Sequence, residues 1–412
     1  MGVFAELSRL DRQQRSAFVA SFLGWTLDAF DFFLMIFILR AVAQEFGTDV
    51  KAVTIAVTLT LAMRPLGALV FGLLADRFGR RPILMIDVLL FSLLELASAF
   101  APSLVVLIAL RAAFGFAMGG EWGIGASLVM ETVPARARGL VSGILQEGYA
   151  FGYLLAAVVY GLLFDRIGWR GMFMVGVIPA LLVMYIRRNV EESPVWTQLR
   201  ERPKVSLWHS VRHNWKLFTY VVILMTAFNF FSHGTQDLYP TFLQAQHHFS
   251  PGTVSLLAIV ANVGAIAGGI FFGSISERVG RRTAIVIAAL FGLLMIPLWS
   301  MASGPIVLAL GAFFMQVSVQ GAWGVIPAHL NELSPNEVRG TFPGFAYQLG
   351  NFIASGNATY QAMIADRRGG DYGFALAVVA AMMAVIIAFL TAVGPETRGV
   401  VFEQGVGEVP GE

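Results

Sequence analysis

Long apolar runs alternate with short polar ones along the whole chain. A helix crosses the hydrocarbon layer in about 20 residues at roughly 1.5 Å each. Twelve runs meet that length, at about 17–39, 52–75, 82–101, 103–131, 139–163, 171–188, 217–244, 253–275, 283–301, 305–332, 341–364 and 372–393. Several are longer than needed, which predicts tilt or extension beyond the bilayer. Backbone polar groups in lipid must pair within the protein, so these runs are expected to be helices. The alternating strands of a membrane β-barrel do not occur. The predicted fold class is therefore all-α, a membrane protein of twelve transmembrane helices. The first run holds Asp28 and Asp31 and is followed by no clear small-residue cleavage site. It reads as a retained helix rather than a signal peptide.

Composition narrows the function. The chain is 57% hydrophobic and only 13% charged, about half the charge of soluble domains. Too few polar groups remain to cover a globular surface, so a soluble enzyme is excluded. A net charge of +2 argues against a nucleic-acid partner. With no cysteine there is no disulfide frame, no Cys-ligated zinc and no thiol nucleophile. His247 and His248 lack a third ligand nearby in sequence, and no H-E-x-x-H run occurs. Neither enzyme activity nor a metal or other cofactor is expected. Basic residues settle orientation. With both termini inside, 20 Lys and Arg fall on the cytoplasmic side and 6 on the other, as the positive-inside rule requires. A multi-pass protein of the cell membrane, acting as a monomer in the lipid bilayer, is the expectation.

The chain also repeats itself. Gly72–Arg81 matches Gly273–Arg282, Glu131–Gly139 matches Glu332–Gly340, and Trp122-Gly123 matches Trp323-Gly324, each pair 201 residues apart. Three coincidences at one spacing imply two similar six-helix halves. The expected domains are 1–188 and 217–394, joined by a polar cytoplasmic loop at 189–216 and followed by a cytoplasmic tail at 395–412. Two G-xxx-(D/E)-R-x-G-R-R turns in a 6+6 chain resemble the major facilitator superfamily over nearly the whole length. The resemblance implies gating roles, rather than substrate contact, for Asp76, Arg77 and Arg81 and for Glu277, Arg278 and Arg282.

Charges at mid-bilayer cost about 2.5–3.5 kcal/mol each on insertion scales and are functional by default. Predicted helix 7 places Asn229, Ser232, His233, Gln236 and Asp237 at i, i+3, i+4, i+7 and i+8. That spacing makes one polar face, which an aqueous gap between the halves would accommodate. Pro240 cannot donate to the Gln236 carbonyl, so a break is expected just beyond Asp237. The run Asn229-Phe-Phe-Ser232-His233-Gly-Thr-Gln236-Asp237-Leu-Tyr-Pro-Thr241 resembles the N-x-x-(S/T)-H-x-x-Q-D-x-x-x-T signature of fungal lactate/pyruvate–proton permeases, within the sialate–proton symporter family. Gly24-Trp25-Thr-Leu-Asp28-Ala-Phe-Asp31 resembles that family's helix 1. Gly119-Gly120-Glu121-Trp122-Gly123 resembles related proton–carboxylate symporters.

Other candidates sit at similar depth. Arg64 offers a guanidinium fork that fits a carboxylate and resembles the permeases' helix-2 arginine; a structural ion pair with Asp28 or Asp31 is the alternative. Arg111 with Glu121 resembles the superfamily's helix-4 arginine motif, linked to proton coupling, with an inter-helix ion pair as the alternative. Gln348 and Asn351 resemble the permeases' selectivity pair. Gly115, Gly119 and Gly123 predict close packing of helix 4. The resulting expectation is a proton symporter of a small organic anion, a short monocarboxylate such as lactate or pyruvate. Arg64, Asn229, His233, Gln236, Gln348 and Asn351 would bind substrate, and Asp237, Asp28, Asp31, Glu121 and Arg111 would couple the proton. The alternative is a proton symporter of another anion: a sialate, a dicarboxylate or an aromatic acid. Asp87, Glu95 and Glu147 receive no role.

Overall fold

A computed structural model describes residues 5–48, 50–200 and 212–402. Arg202, Lys204 and His209 of the central loop, and 403–412 of the tail, lie outside the described residues. Among the described residues there is no strand, and ten helical runs are long and apolar enough to cross a membrane. One of them, Ala135–Asn189, is 55 residues long and contains two crossings. Gly168 inside it has φ 63° and ψ −176°, a conformation that only glycine adopts without strain. The contacts show the reversal. Tyr160 stacks on Phe37 and Trp169 reaches Glu45, after which Gly176 lies back beside Asp31. The remaining crossing is split at Ser355-Gly356 and so escapes a count by length. Twelve crossings result.

In chain order these are α1 (Arg12–Glu45), α2 (Val50–Phe78), α3 (Arg80–Ala99), α4 (Leu104–Thr132), α5 (Arg138–Gln146, then 148–167) and α6 (169–175, then Ala180–Asn189). The second set is α7 (Trp215–Gln236, then Tyr239–Ala245), α8 (Pro251–Val279), α9 (Arg281–Ile296, continued by a π turn to Met301), α10 (Pro305–Leu333), α11 (Phe342–Ala354, then Asn357–Arg367) and α12 (Tyr372–Val393). A short helix, Pro194–Leu199, follows α6. Where helices outrun the predicted spans, caps explain it. Asp11 accepts from the Gln14 N–H at 2.8 Å while the Gln14 side chain accepts from the Asp11 N–H at 3.1 Å. That reciprocal box starts α1 well before its apolar run.

Glycines set the helix spacing. A Cβ on Gly115 or Gly119 of α4 would overlap the carbonyls of Thr60 and Arg64 on α2. In the second half, Gly264 and Gly268 of α8 lie equally close to Phe313 and Val317 of α10. Small residues at these contacts bring backbones together where lipid gives no hydrophobic drive between helices.

Hydrogen bonds between the halves gather at the end that carries the turn motifs. Asp76 accepts from the Gly340 N–H at 2.7 Å and the Thr341 hydroxyl at 2.5 Å. Glu277 accepts from the Gly139 N–H in the reverse sense. Positions 76 and 277, and 139 and 340, share the repeat offset, so the seam is built twice. The arginines that hold these carboxylates are ones the sequence reading does not single out. Arg80 binds Asp76 at 2.8 Å and Glu131 at 3.0 Å, and Arg281 binds Glu277 at 2.9 Å and Glu332 at 3.0 Å. Both are buried. Arg81 and Arg282 instead donate to the carbonyls of Arg187 and of Thr391 and Ala392. The reason is the turn between: Gly79 and Gly280, at φ 110° and 96°, reverse the chain so that the first residue of the next helix, Arg80 or Arg281, folds back over the carboxylate one turn before it. Arg77 and Arg278 are exposed at the helix ends.

Candidate functional site

Beyond the seam, a cavity of about 240 Å³ lies between the halves. Its walls include Glu147, Tyr149 and Tyr153 of α5 and Gln236, Asn262 and Gln316 of α7, α8 and α10. Polar groups therefore face one another across the middle of the molecule.

The first half presents Arg64. It is 3% exposed and its guanidinium stands 3.5 Å from Asp28, touches the Met118 sulfur at 2.9 Å and lies 5.3 Å from the Phe32 ring centre. Among the described residues its Nε donates to nothing and both Asp28 oxygens lack a hydrogen-bond donor. Arg64 interacts electrostatically with Tyr149 and Tyr347, and with His233 from across the interface. The two tyrosines are packed by indoles, Tyr149 on Trp25 at 5.5 Å and Tyr347 on Trp122 at 4.7 Å.

The second half presents the face of α7. The chain leaves the helix at Asp237 and re-enters it at Tyr239, which is the break foreseen from Pro240. His233 Nδ1 meets Asp237 at 3.2 Å and its Nε2 meets the Asn351 side-chain oxygen at 3.1 Å. The side chains of His233 and Asp237 are 35% and 39% exposed, although flanked by membrane-spanning segments. Gln236 donates to Gln316 at 3.1 Å and Ser232 at 3.3 Å. Asn229 is buried and donates to the Met225 carbonyl at 2.8 Å, one turn back on its own helix. Gln348 is buried, and its side-chain oxygen has no hydrogen-bond partner among the described residues.

The remaining candidates lie in the first half. Arg111 does not meet Glu121; it pairs with Glu95 of α3, and both side chains are fully buried. Ten residues along one helix separate 111 from 121 by about 15 Å, so the pair must come from a neighbouring helix. Glu121 instead points toward Gly24 of α1, and among the described residues both its oxygens lack a hydrogen-bond partner. Asp31 is buried and interacts electrostatically with Glu95 and Arg111. Asp87 is buried too, within electrostatic reach of Asp28. Tyr149, Tyr347, Gln316 and Gln320 were missed from the sequence. The two glutamines had a legible signal, polar residues four apart within an apolar span. The tyrosines had none, since aromatic residues are common in such helices.

A model of the Major Facilitator Superfamily matches residues 19–356. The chain is 30% identical to a probable 4-methylmuconolactone transporter of Cupriavidus pinatubonensis, over 96% of this chain and 94% of that protein. It is 29% identical to a carboxylic acid transporter protein homolog of Saccharomyces cerevisiae, over 94% of this chain and 67% of the other. Among solved structures it superposes on the proton:xylose symporter XylE with a TM-score of 0.77 at 20% identity, covering 94% of this chain and 97% of XylE. That likeness is one of fold.

Proposed function

The chain belongs to the major facilitator superfamily, and from that premise we propose that it is a proton-coupled symporter of short monocarboxylates, the lactate and pyruvate class, working by alternating access. One observation carries the reading. The Arg64–Asp28 pair at 3.5 Å on one half lies within electrostatic reach of the His233–Asp237 pair at 3.2 Å on the other, between halves joined by hydrogen bonds at the motif end. Relatives named for carboxylic acid and muconolactone transport support an organic acid.

Arg64 takes the carboxylate, competing with an Asp28 that holds it loosely. His233, Gln236, Asn351, Gln348 and Asn229 order the substrate's other oxygens directly or through their neighbours. Asp237, steadied by His233, carries the proton. Asp28, Asp31, Glu121 and Arg111 set the charge around Arg64 and so couple its occupancy to protonation. Anion and proton together leave the cavity's charge balanced. Either alone leaves an unpaired charge in a closing, drying space, which is costly. The bodies 1–188 and 217–394 then rock about the site, and the two turn motifs open as gates. With both termini in the cytoplasm of the cell membrane, this form faces outward. A larger or more aromatic acid is the second reading, favoured by the muconolactone transporter at near full-length coverage.

The experiment is labelled L-lactate uptake into proteoliposomes, with and without an imposed proton gradient. The gradient should drive accumulation, and Asp237→Asn should abolish that drive while retaining exchange. Gradient-driven accumulation by Asp237→Asn would remove Asp237 from coupling. Competition by unlabelled muconate over lactate would select the second reading.

A further inference from the structure

A groove of about 910 Å³ lies on the outer surface of the first half, at its motif end, away from the transport cavity. Arg77, Arg81, Arg187 and Arg200 line it. They come from the end of α2, the start of α3, the last turn of α6 and the end of the Pro194–Leu199 helix. Among the described residues one carboxylate, Glu192, shares the groove, but it is occupied by the backbone N–H groups of Arg80, Arg81 and Ser193. The groove is therefore strongly cationic. Its wall continues along α3 through Ile86 and Leu89, 53% and 42% exposed, residues that face lipid in a membrane. Trp196 sits at the rim, tied by its indole N–H to the Asp76 carbonyl at 3.0 Å.

We propose that this groove is a binding site for an anionic phospholipid of the cytoplasmic leaflet, its headgroup phosphate held by the arginines and its acyl chains lying along α3. A free phosphate would use the arginines but not the apolar wall that runs from them. Basic clusters beside transmembrane helices attract anionic lipids in this way. Topology alone does not explain the cluster. The repeat supplies Arg278 and Arg282 in the second half, yet the last turn of α12 has no basic residue where α6 ends in Arg187 and Arg188. The turn motif therefore does without Arg187 in its second copy.

The test is native mass spectrometry of the detergent-purified full chain after exchange into phosphatidylglycerol, phosphatidylcholine or inorganic phosphate. Retention of phosphatidylglycerol should exceed that of phosphatidylcholine by about tenfold, and phosphate should not displace it. The double variant Arg187→Gln/Arg200→Gln should lose most of that preference. Arg188→Gln/Arg212→Gln removes the same charge from exposed positions outside the groove and should keep it. Equal retention of the two lipids, equal loss in both double variants, or displacement by phosphate would overturn the proposal. Thermal unfolding in phosphatidylcholine checks that both double variants fold. Should Arg187→Gln/Arg200→Gln unfold, Arg187→Lys/Arg200→Lys, which keeps the charge, should retain the preference, and its loss there would also count against the site.

Discussion

At 3.5 Å, Asp28 shares Arg64 without saturating it, and that slack is what a substrate carboxylate would use. Lysine at position 64 keeps the charge but loses the planar fork. Arg64→Lys should weaken apparent affinity for lactate about tenfold, the size of one charge-assisted hydrogen bond, read from concentration-dependent uptake. Unchanged affinity would make Arg64 structural. Arg111 and Glu95 behave differently, because both are fully buried and paired. Arg111→Gln strands Glu95, at a cost of roughly 3–5 kcal/mol, and should lower the thermal unfolding midpoint in detergent sharply. Arg111→Met combined with Glu95→Leu should recover much of the loss. The presence of both residues was plain from the sequence, but their partnership was not. Arg111 was matched with Glu121 by a motif, whereas a neighbouring helix supplies its counter-charge.

Among elements, α4 is tightly constrained against α2. Gly119 abuts the Arg64 backbone, so any side chain there pushes α2 away and moves the guanidinium with it. Gly119→Ala should destabilise by about 1–3 kcal/mol, and uptake should fall more than the amount of folded protein in the membrane. Size-exclusion recovery set against transport rate measures the two effects separately. The glycine stripe announced this packing in the sequence. The break in α7 was legible as well, because a missing proline N–H is a local fact. The break in α11 was not. Gly356 resembles the other glycines of apolar runs, and what supports the opened backbone is tertiary: Gln361 donates to the Gly234 carbonyl of α7 at 2.7 Å and accepts from Asn357 at 3.2 Å.

Across the whole molecule, the two halves are clasped together by contacts at the motif end. Asp76 and Glu277 each accept from a backbone N–H of the opposite half, and Arg138 and Arg339 reach toward Glu332 and Glu131 across the seam at 3.8 and 3.9 Å. Phe402 of the tail is 3% exposed and sits between those two guanidiniums, with 3.6 and 3.8 Å to its ring centre. Opening this end must pull at least one arginine off the ring. Asp76→Asn with Glu277→Gln, and separately Phe402→Ala, should shift the population toward the form open at the motif end. The chain has no cysteine, so spin labels on one introduced cysteine per half can report the distance directly. An unchanged distance distribution in both variants would show that these contacts do not hold the seam. Stability should also be acid-sensitive through Glu396. Burial pushes its carboxyl up, but N–H donors from Arg398, Arg281, Arg282 and Thr397 outweigh that and hold it below the ordinary glutamate range. A depressed value means stabilisation present above about pH 4.3 and lost as pH falls through the lowered one. Glu396→Gln should flatten the low-pH limb of the unfolding midpoint plotted against pH.

Crossing number, the twofold repeat and the charge bias between the two faces are all written in the chain itself. Each depends on a quantity summed along a segment, apolar length or basic count, and lipid enforces it wherever the neighbouring helices lie. Which carboxylate meets which arginine is another matter. Arg80 with Glu131, Arg111 with Glu95 and Asp76 with Gly340 join residues far apart in sequence and on different elements. Their meeting depends on how each helix is rotated and how closely the glycine contacts let it approach. Those are properties of the packed bundle, and only the assembled structure decides them.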